Sequence, residues 1–322
     1  MRSPRCVALT GIDTFLGESL AERLLARPDP PLIVGLDVER PLRLAGRVRF
    51  HEVDLTQPVA DAEVAEILRS EGVDVVVHLA FEQSPKPDVE ASHDLEAVGT
   101  HHLLNAMTAA GVPRLVLQSS TMVYGPAPDN PNYLGEDAPL RGHPEAHSVE
   151  NRREVEEMVA AFAREHGEDR VCVLRHCWVM GPSYRDHVVQ YFDNQVVPVV
   201  LGGDPLMQFI HEDDLLDVFE RAVIGDASGA FNVVGPGVLP LSMILALGGK
   251  QRLQLPPGLL YRLADYPSRG MRGDGPSGFF DYLRYLWVAD GRRAWDEFGL
   301  PSYSTREAWV SFTGASRMRQ YA

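Results

Sequence analysis

Cysteine is scarce in this chain: Cys6, Cys172 and Cys177 are the only three, and no pair has C-x-x-C spacing. Two of them sit in apolar, strand-like runs, so the pattern reads as buried free thiols suited to a reducing cytosol. No apolar stretch approaches the ~20 residues that a membrane-spanning helix needs, and no basic, apolar leader is read at the start. A cytoplasmic location without membrane attachment is expected. Clusters of Lys and Arg are also missing and the formal charge is −15, which argues against nucleic acid as a partner. The charge itself reads as a solvated, self-repelling surface that aids solubility. There is no H-E-x-x-H and no carboxylate cluster, and the adjacent His101 and His102 diverge on a helix, so no metal site is expected.

What is present is an ordinary globular composition: 322 residues, 45% apolar and 23% charged, enough for about two domains or one with an appendage. Strand-like runs at 5–10, 32–37, 48–53, 73–80, 114–119 and 171–174 alternate with helical patterns at 16–26, 59–70, 89–110 and 149–166. That alternation specifies right-handed parallel crossovers and an α/β, doubly wound sheet. After Gly181-Pro182 the regularity fades into short strands at 197–201, 209–211 and 231–234 and helices at 213–224 and 257–263. The stretch 267–278, rich in Gly, Pro, Ser and Arg, reads as a mobile loop or lid. Residues 1–175 are expected to form a dinucleotide-binding domain, to which some later segments return, and 176–322 a smaller α/β substrate-binding domain. The aromatic run Phe279, Phe280, Tyr282, Tyr285 and Trp287 reads as the core of that smaller domain, with a lipid or acyl pocket as the alternative. Asp213-Asp214 reads as the cap of the helix that follows.

Residues 10–17, T-G-I-D-T-F-L-G, directly follow the apolar Val7-Ala8-Leu9. Gly11 permits a tight turn and Gly17 lets a helix pack closely on the sheet. Asp13, Thr14, Phe15 and Leu16 lead into that helix, whose first N–H groups are available to a pyrophosphate. Thr14 stands where a middle glycine would be and crowds the pyrophosphate without forbidding it. Asp37 ends the next strand, about 20 residues beyond the loop, where a carboxylate accepts from adenosine ribose hydroxyls and repels a 2′-phosphate. NAD is therefore favoured over NADP, with nearby Arg40 moderating the preference. Asp54-Leu55 closes the third strand as an adenine contact or as an ordinary cap of the helix at 59–70.

Taken in order, T-G-I-D-T-F-L-G (10–17), G-L-D (35–37), D-L (54–55), V-V-H-L-A-F (76–81), V-G-T-H-H-L-L-N-A (98–106), Q-S-S-T-M-V-Y-G-P (118–126), V-L-R-H-C-W-V-M-G-P (173–182), Q-F-I-H-E-D-D-L (208–215) and F-N-V-V-G (231–235) span nearly the whole chain. In these segments it resembles the extended short-chain dehydrogenase/reductase family, in its NAD-dependent sugar-nucleotide epimerase/dehydratase branch. The resemblance implies a Rossmann-type sheet, NAD lying against Leu79, Ala80, Phe81 and Ser119, and a Ser120 hydroxyl bonded to the reacting sugar oxygen. It also implies a Tyr-x-x-x-Lys pair at the start of the helix that contains Glu156, and none is there. Counting back from Glu156 puts Ser148 at the tyrosine position and Arg152 at the lysine position, while a slip of one puts His147 and Asn151 there. Glu96 and Trp178 stand where the family has asparagines.

A serine hydroxyl is a far weaker acid than tyrosine, and Arg152 keeps its proton, although it can still bond the nicotinamide ribose. His147 has a pKa suited to proton exchange, and Tyr133, Tyr184 and His176 are further candidates from loops. The plainer readings are a surface residue for His147, loop anchors for Tyr133 and Tyr184, and a residue beside the core for His176. The expected function is an NAD-binding, epimerase/dehydratase-like enzyme acting on a nucleotide sugar or related hydroxylated substrate by hydride transfer with an atypical acid/base. The alternative is a catalytically degenerate sensor or scaffold that binds NAD or a nucleotide sugar. The resemblance further implies a homodimer through the helices at 89–110 and 149–166. Leu95, Val98, Leu103, Val155, Val159 and Phe162 offer the apolar stripes for it, stripes that could equally cover the sheet.

Overall fold

In the computed structural model, which describes residues 3–84, 88–264 and 276–320, β1 (Cys6–Thr10), β2 (Leu32–Asp37), β3 (Arg49–Glu52), β4 (Val75–His78), β5 (Arg114–Ser120) and β6 (Val171–His176) are parallel strands of one sheet. Around them run α1 (Phe15–Leu25), α2 (Ala60–Glu71), α3 (Val89–His93), α4 (Gly99–Ala110) and α5 (His147–His166). The chain then forms β7 (Trp178–Met180), α6 (His187–Asp193), β8 (Val196–Val200), β9 (Leu206–Met207), β10 (Phe209–His211) and α7 (Glu212–Ile224). It returns as β11 (Gly229–Val233) to pair in parallel with β6. The resulting seven-stranded order, β11-β6-β5-β4-β1-β2-β3, is a doubly wound Rossmann-type sheet. Its order reverses between β1 and β4, and ligands of such sheets bind at the carboxyl ends of the strands there.

Both faces of the sheet are covered, so β1 is buried at every residue and its sequence is apolar almost throughout. Val7 and Leu9 join Leu16, Leu20 and Leu24 of α1 and Leu215 and Phe219 of α7 in one layer. Ala8 and Val34 join Val64 and Leu68 of α2 and Met107 of α4 in the other. Of the stripe named for dimerisation, Leu103, Val155, Val159 and Phe162 are buried in this second layer within the single chain, while Leu95 and Val98 are half-buried. The expected helix at 89–110 is interrupted by a π-helical turn, Asp94–Val98, between α3 and α4.

The remainder is built from short paired strands: β7 with β10 and β8 with β13 (Gln251–Leu255) in parallel, β9 with β12 (Leu239–Pro240) antiparallel. Helices α8 (Leu241–Leu247), α9 (Pro257–Ala264), α10 (Pro276–Asp281), α11 (Arg292–Phe298) and α12 (Thr305–Gln320) pack around them. Phe279, Phe280, Tyr282 and Trp287 are buried in the same cluster as Trp178, Phe192 and Trp309, and Tyr285 is half-buried. Most of the 267–278 stretch lies outside the described residues, and its last residues open α10. Among the described residues no helix is long and apolar enough to cross a membrane, and no group of His, Cys, Asp and Glu could hold a metal ion.

One buried ion pair joins the helical layer to the sheet. Arg175 on β6 donates to Glu156 on α5 from Nε at 3.0 and 2.9 Å and from Nη2 at 2.7 Å. Its Nη1 donates to Tyr124 Oη at 2.8 Å, and that hydroxyl donates to Asn232 Oδ1 on β11 at 2.7 Å. Ser119 of β5 donates to the same glutamate. Glu156→Ala, which strands a buried guanidinium, should lower stability by about 3–5 kcal/mol, whereas Arg175→Met combined with Glu156→Leu should lose clearly less. Urea unfolding measures both, and equal losses would refute the assignment.

Candidate active site at the carboxyl ends of the central strands

The turn after β1 is shaped by close backbone approach. Gly11 has φ +66°, and a Cβ there would lie 2.5 Å from the Leu79 carbonyl oxygen; at Gly17 it would lie 2.4 Å from the Gly11 carbonyl oxygen. No side chain fits either place. Thr14 has a role that its sequence position did not suggest. Its Oγ1 donates to Gly11 O at 2.8 Å and accepts from Gly17 N at 3.0 Å, so it caps α1 and ties the turn to the helix. The first-turn N–H groups of Phe15 and Leu16 have no intrahelical acceptor.

Asp37 reaches this turn from the end of β2. Its Oδ2 accepts from Asp13 N at 3.1 Å and its Oδ1 from Val38 N at 2.8 Å. Burial and the facing Asp37, Glu39 and Glu18 raise the Asp13 pKa, so the rim is acidic and hostile to an additional phosphate. Arg40 stacks over Phe50 at 5.2 Å. Asp54 accepts from Thr56 N at 3.0 Å, Thr56 Oγ1 at 2.7 Å and Gln57 Nε2 at 2.8 Å in a turn before α2, whose N-cap is Val59 with no side-chain bond, so Asp54 does not cap that helix; Leu55 beside it is buried.

Beyond β4, Leu79 and Phe81 are buried and Ala80 is half-buried. His78 is bonded at Nδ1 to Thr10 Oγ1, 2.7 Å, and at Nε2 to Thr100 Oγ1, 2.8 Å. Phe81 supports Arg152, whose guanidinium lies 4.9 Å from the ring centroid and donates to Glu82 O at 3.4 Å. The π-helical turn carries Glu96, fully buried, which accepts from Glu82 N and Asn151 Nδ2, each at 3.1 Å. Burial raises its pKa and the Arg152 charge opposes that rise. Sequence periodicity does not register a one-residue expansion of a helix, so this meeting of Glu96, Asn151 and Arg152 was not foreseen.

Ser148 is half-buried and His147 exposed in the first turn of α5, and Ser148 shares a helix face with Arg152 four residues on. The adjacent serines of β5 point to opposite faces, as strand geometry requires. Ser119 bonds Glu156 behind the sheet, whereas Ser120, at the strand end, accepts from Met122 N at 3.2 Å. The resemblance-based placement of Ser119 against the cofactor therefore meets a hydroxyl engaged elsewhere.

His176 and Tyr184 are held in structural roles. His176 bonds Cys177 O through Nδ1 at 2.8 Å and Gln118 Nε2 through Nε2 at 3.1 Å, so both ring nitrogens are in use. Tyr184 donates to Gln83 Oε1 at 3.3 Å and meets Phe15 edge-on at 5.4 Å; burial pushes its pKa well above the ordinary value. Tyr133 is exposed. Tyr124 is buried with its pKa pushed up to about 12 by burial.

The acidic start of α7 corrects one expectation. His211 is its N-cap, with Nδ1 accepting from Asp213 N at 3.2 Å. Asp213 pairs with Arg23, Asp214 accepts from Ser302 N and Tyr303 N, and Glu212 accepts from Ser183 N and Tyr184 N. Each acid is claimed by a distant segment, which a local capping rule does not see.

Burial lowers the pKa of His78 to about 3 and of His176 to about 4, from an ordinary 6.5. Below pH 6.5 the unfolded chain therefore binds more protons than the folded one, and both groups remove stability as pH falls. Each contributes at most about 1.4 kcal/mol per pH unit. His176→Gln should show a shallower acid loss of urea-measured stability between pH 6.5 and about 4. An unchanged slope would contradict a neutral, buried His176.

Residues 7–234 match the model of the family described as NAD dependent epimerase/dehydratase. The chain is 30% identical over 317 residues to the uncharacterized protein Rv0501 of Mycobacterium tuberculosis, covering 96% of this chain and 83% of that protein. It is 30% identical over 278 residues to a 3-diazoavenalumate denitrifying reductase of a Streptomyces species, covering 80% of this chain and 86% of that one. Its fold superposes on DesIV, a dTDP-glucose 4,6-dehydratase of Streptomyces venezuelae, with TM-score 0.74, 21% identity and 98% of each chain covered. The glycine turn, the strand order and the serine at the end of β5 thus lie within a matched segment running from β1 to just past β11, and the chain belongs to the NAD dependent epimerase/dehydratase family.

Proposed function

We propose that the chain binds NAD(H) at the glycine turn and carries out hydride transfer on a hydroxylated substrate of the nucleotide-sugar kind. The observation that carries this reading is the Asp37 carboxylate bonded to Asp13 N in the turn itself. It sets two acceptor oxygens beside the N-terminus of α1, suited to ribose hydroxyls next to a pyrophosphate. Gly11, the backbone of Asp13 to Gly17, and Asp37 hold the cofactor, Asp54 and Leu55 flank the adenine, and Leu79, Ala80 and Phe81 form the wall beneath it. Residues 1–175 with β11 supply this half of the site, and 176–322 supply most of the substrate side. DesIV, solved with NAD and TYD bound, and the reductase named above are in keeping with the reading.

A bound nicotinamide supplies hydride donation or acceptance. Ser120 holds the substrate oxygen by a hydrogen bond. Arg152, a permanent cation, stabilises negative charge as it develops on that oxygen and does not exchange a proton. Ser148, across one helical turn, orients the same group but is too weak an acid to replace tyrosine at neutral pH. The lack of a Tyr-x-x-x-Lys pair costs roughly 10²–10⁴ in rate.

Protein stripped of cofactor should bind NADH more tightly than NADPH by calorimetry. Asp37→Ala should weaken NADH binding about tenfold, roughly 1.4 kcal/mol. Tighter NADPH binding, or no effect of Asp37→Ala, would overturn the cofactor assignment. Ser148→Tyr combined with Arg152→Lys should raise NAD-dependent turnover of a UDP-sugar by about 10². If that variant binds NADH normally and gains nothing, these are not the positions of the proton-exchanging pair.

A further inference from the structure

Three consecutive residues after β4 tie the two halves of the cleft together. Phe81 lies under Arg152, Glu82 accepts from Arg152 at its carbonyl and donates to Glu96 from its N–H, and Gln83 accepts from Tyr184 at its side chain. The Gln83 carbonyl oxygen lies 3.5 Å from Nδ1 of His187, the first residue of α6. Arg152 and His187 are therefore tied to successive carbonyls of one loop, whose Cα atoms are about 3.8 Å apart.

A carbonyl oxygen only accepts, so Nδ1 of His187 carries the proton in this contact, and in the neutral ring the lone pair is on Nε2. That nitrogen has no hydrogen-bond partner among the described residues, and the side chain is half-buried rather than enclosed. His78 and His176, the histidines at the ends of β4 and β6, have both ring nitrogens engaged. Phe279 meets the His187 ring edge-on at 5.7 Å, which together with the Gln83 contact fixes the plane of the ring. Burial is the main influence on the ionisation of His176, which is paired with Ser120 between β6 and β5, and of Asp186, the N-cap before His187; the Arg152 charge acts on both. The cation is thus within electrostatic reach of the serine end of β5 and of the start of α6.

We propose that His187 Nε2 exchanges the substrate proton in this cleft, where the family's tyrosine is missing. This deepens the hydride-transfer reading above and rests on it. In the oxidative direction the hydroxyl O–H bond breaks toward Nε2 while the C–H electron pair leaves with its hydrogen for the oxidised nicotinamide. The products are a carbonyl compound, the reduced dinucleotide and an imidazolium, so atoms and charge balance. Arg152 holds the oxygen as negative charge develops on it and, keeping its own proton, does not compete for this one. Histidine is the side chain most often used for such transfers, and the open part of the ring lets the proton pass on to water.

Footprinting and kinetics on the NAD-loaded protein test this. Diethyl pyrocarbonate acylates an accessible, unprotonated imidazole nitrogen, so peptide mass spectrometry should find His187 modified. With UDP-glucose at about ten times its Kd, modification should be about tenfold slower. His187→Gln should lower NAD-dependent turnover of UDP-glucose by about 10² with NADH affinity unchanged, and free imidazole should restore turnover in His187→Gly. Ser148→Tyr combined with Arg152→Lys should gain more in the His187→Gln background than in the unaltered chain, because both routes carry the same proton. Should the variants misfold, footprinting of the unaltered protein decides alone. An unmodified His187, modification that UDP-glucose does not slow, or a folded His187→Gln protein with turnover within about twofold of the unaltered one overturns the inference and leaves the cofactor reading intact. Failure of NADH or UDP-glucose to bind, or no turnover by the unaltered protein, overturns the hydride-transfer reading and the inference with it.

Discussion

The ion pair between Arg175 and Glu156 is the constraint on which the site's geometry hangs. Helix α5 carries Ser148, Asn151 and Arg152, and its apolar residues Val155, Val159 and Phe162 pack it in the second layer without alone fixing how far along the sheet it sits. A buried carboxylate gripped by one guanidinium, with a serine of β5 on the same acceptor, decides it. The same arginine reaches Tyr124 and through it Asn232, so β5, β6, β11 and α5 share one polar network. Such a pair adds little net stability over an apolar alternative, because desolvation offsets most of the attraction. Its contribution here is register: sliding α5 by one residue would leave charge unpaired in the interior.

Around that frame the cleft has an unusual distribution of charge. Its histidine at the end of β6 is neutral, its tyrosines are driven further from ionisation by burial, and Glu96 is enclosed by Glu82 N and Asn151. Arg152 is left as a fixed positive charge on an aromatic face. In the proposed reading this cation acts on charge that develops during reaction, since a preorganised cation needs no rearrangement when that charge appears. It is poor at proton delivery for the same reason, because a group that always holds its proton does not give it away.

Features governed by local geometry were legible in the residues themselves. The sheet followed from alternating strand and helix patterns, and Gly11 and Gly17 followed from the turn, because backbone crowding leaves no other residue type there. Asp37 was legible because its distance from the turn is set by one strand–helix–strand unit. Thr14 was read as crowding when it is a cap, since a hydroxyl three residues before a helical N–H can do either. Asp213 and Asp214 were misread because their partners, Arg23 and Ser302, come from other parts of the fold. Glu96 was visible as a departure, but its enclosure depends on a π-helical turn that no periodicity announces. The six-residue apolar stripe on α4 and α5 had two readings, and burial within one chain accounts for most of it.

Asp37 carries a consequence for anyone who would redesign this protein around a different reducing agent. Its carboxylate is also the acceptor for the backbone N–H of Asp13, so on the proposed reading cofactor preference and the shape of the glycine turn depend on the same side chain. Exchanging it for a small or basic residue would remove the charge proposed to repel a 2′-phosphate and at the same time release the Asp13 N–H in the turn. Retooling the chain for NADPH is therefore a two-part problem, in which a neutral acceptor such as asparagine must keep the turn in place while a second substitution supplies the positive charge.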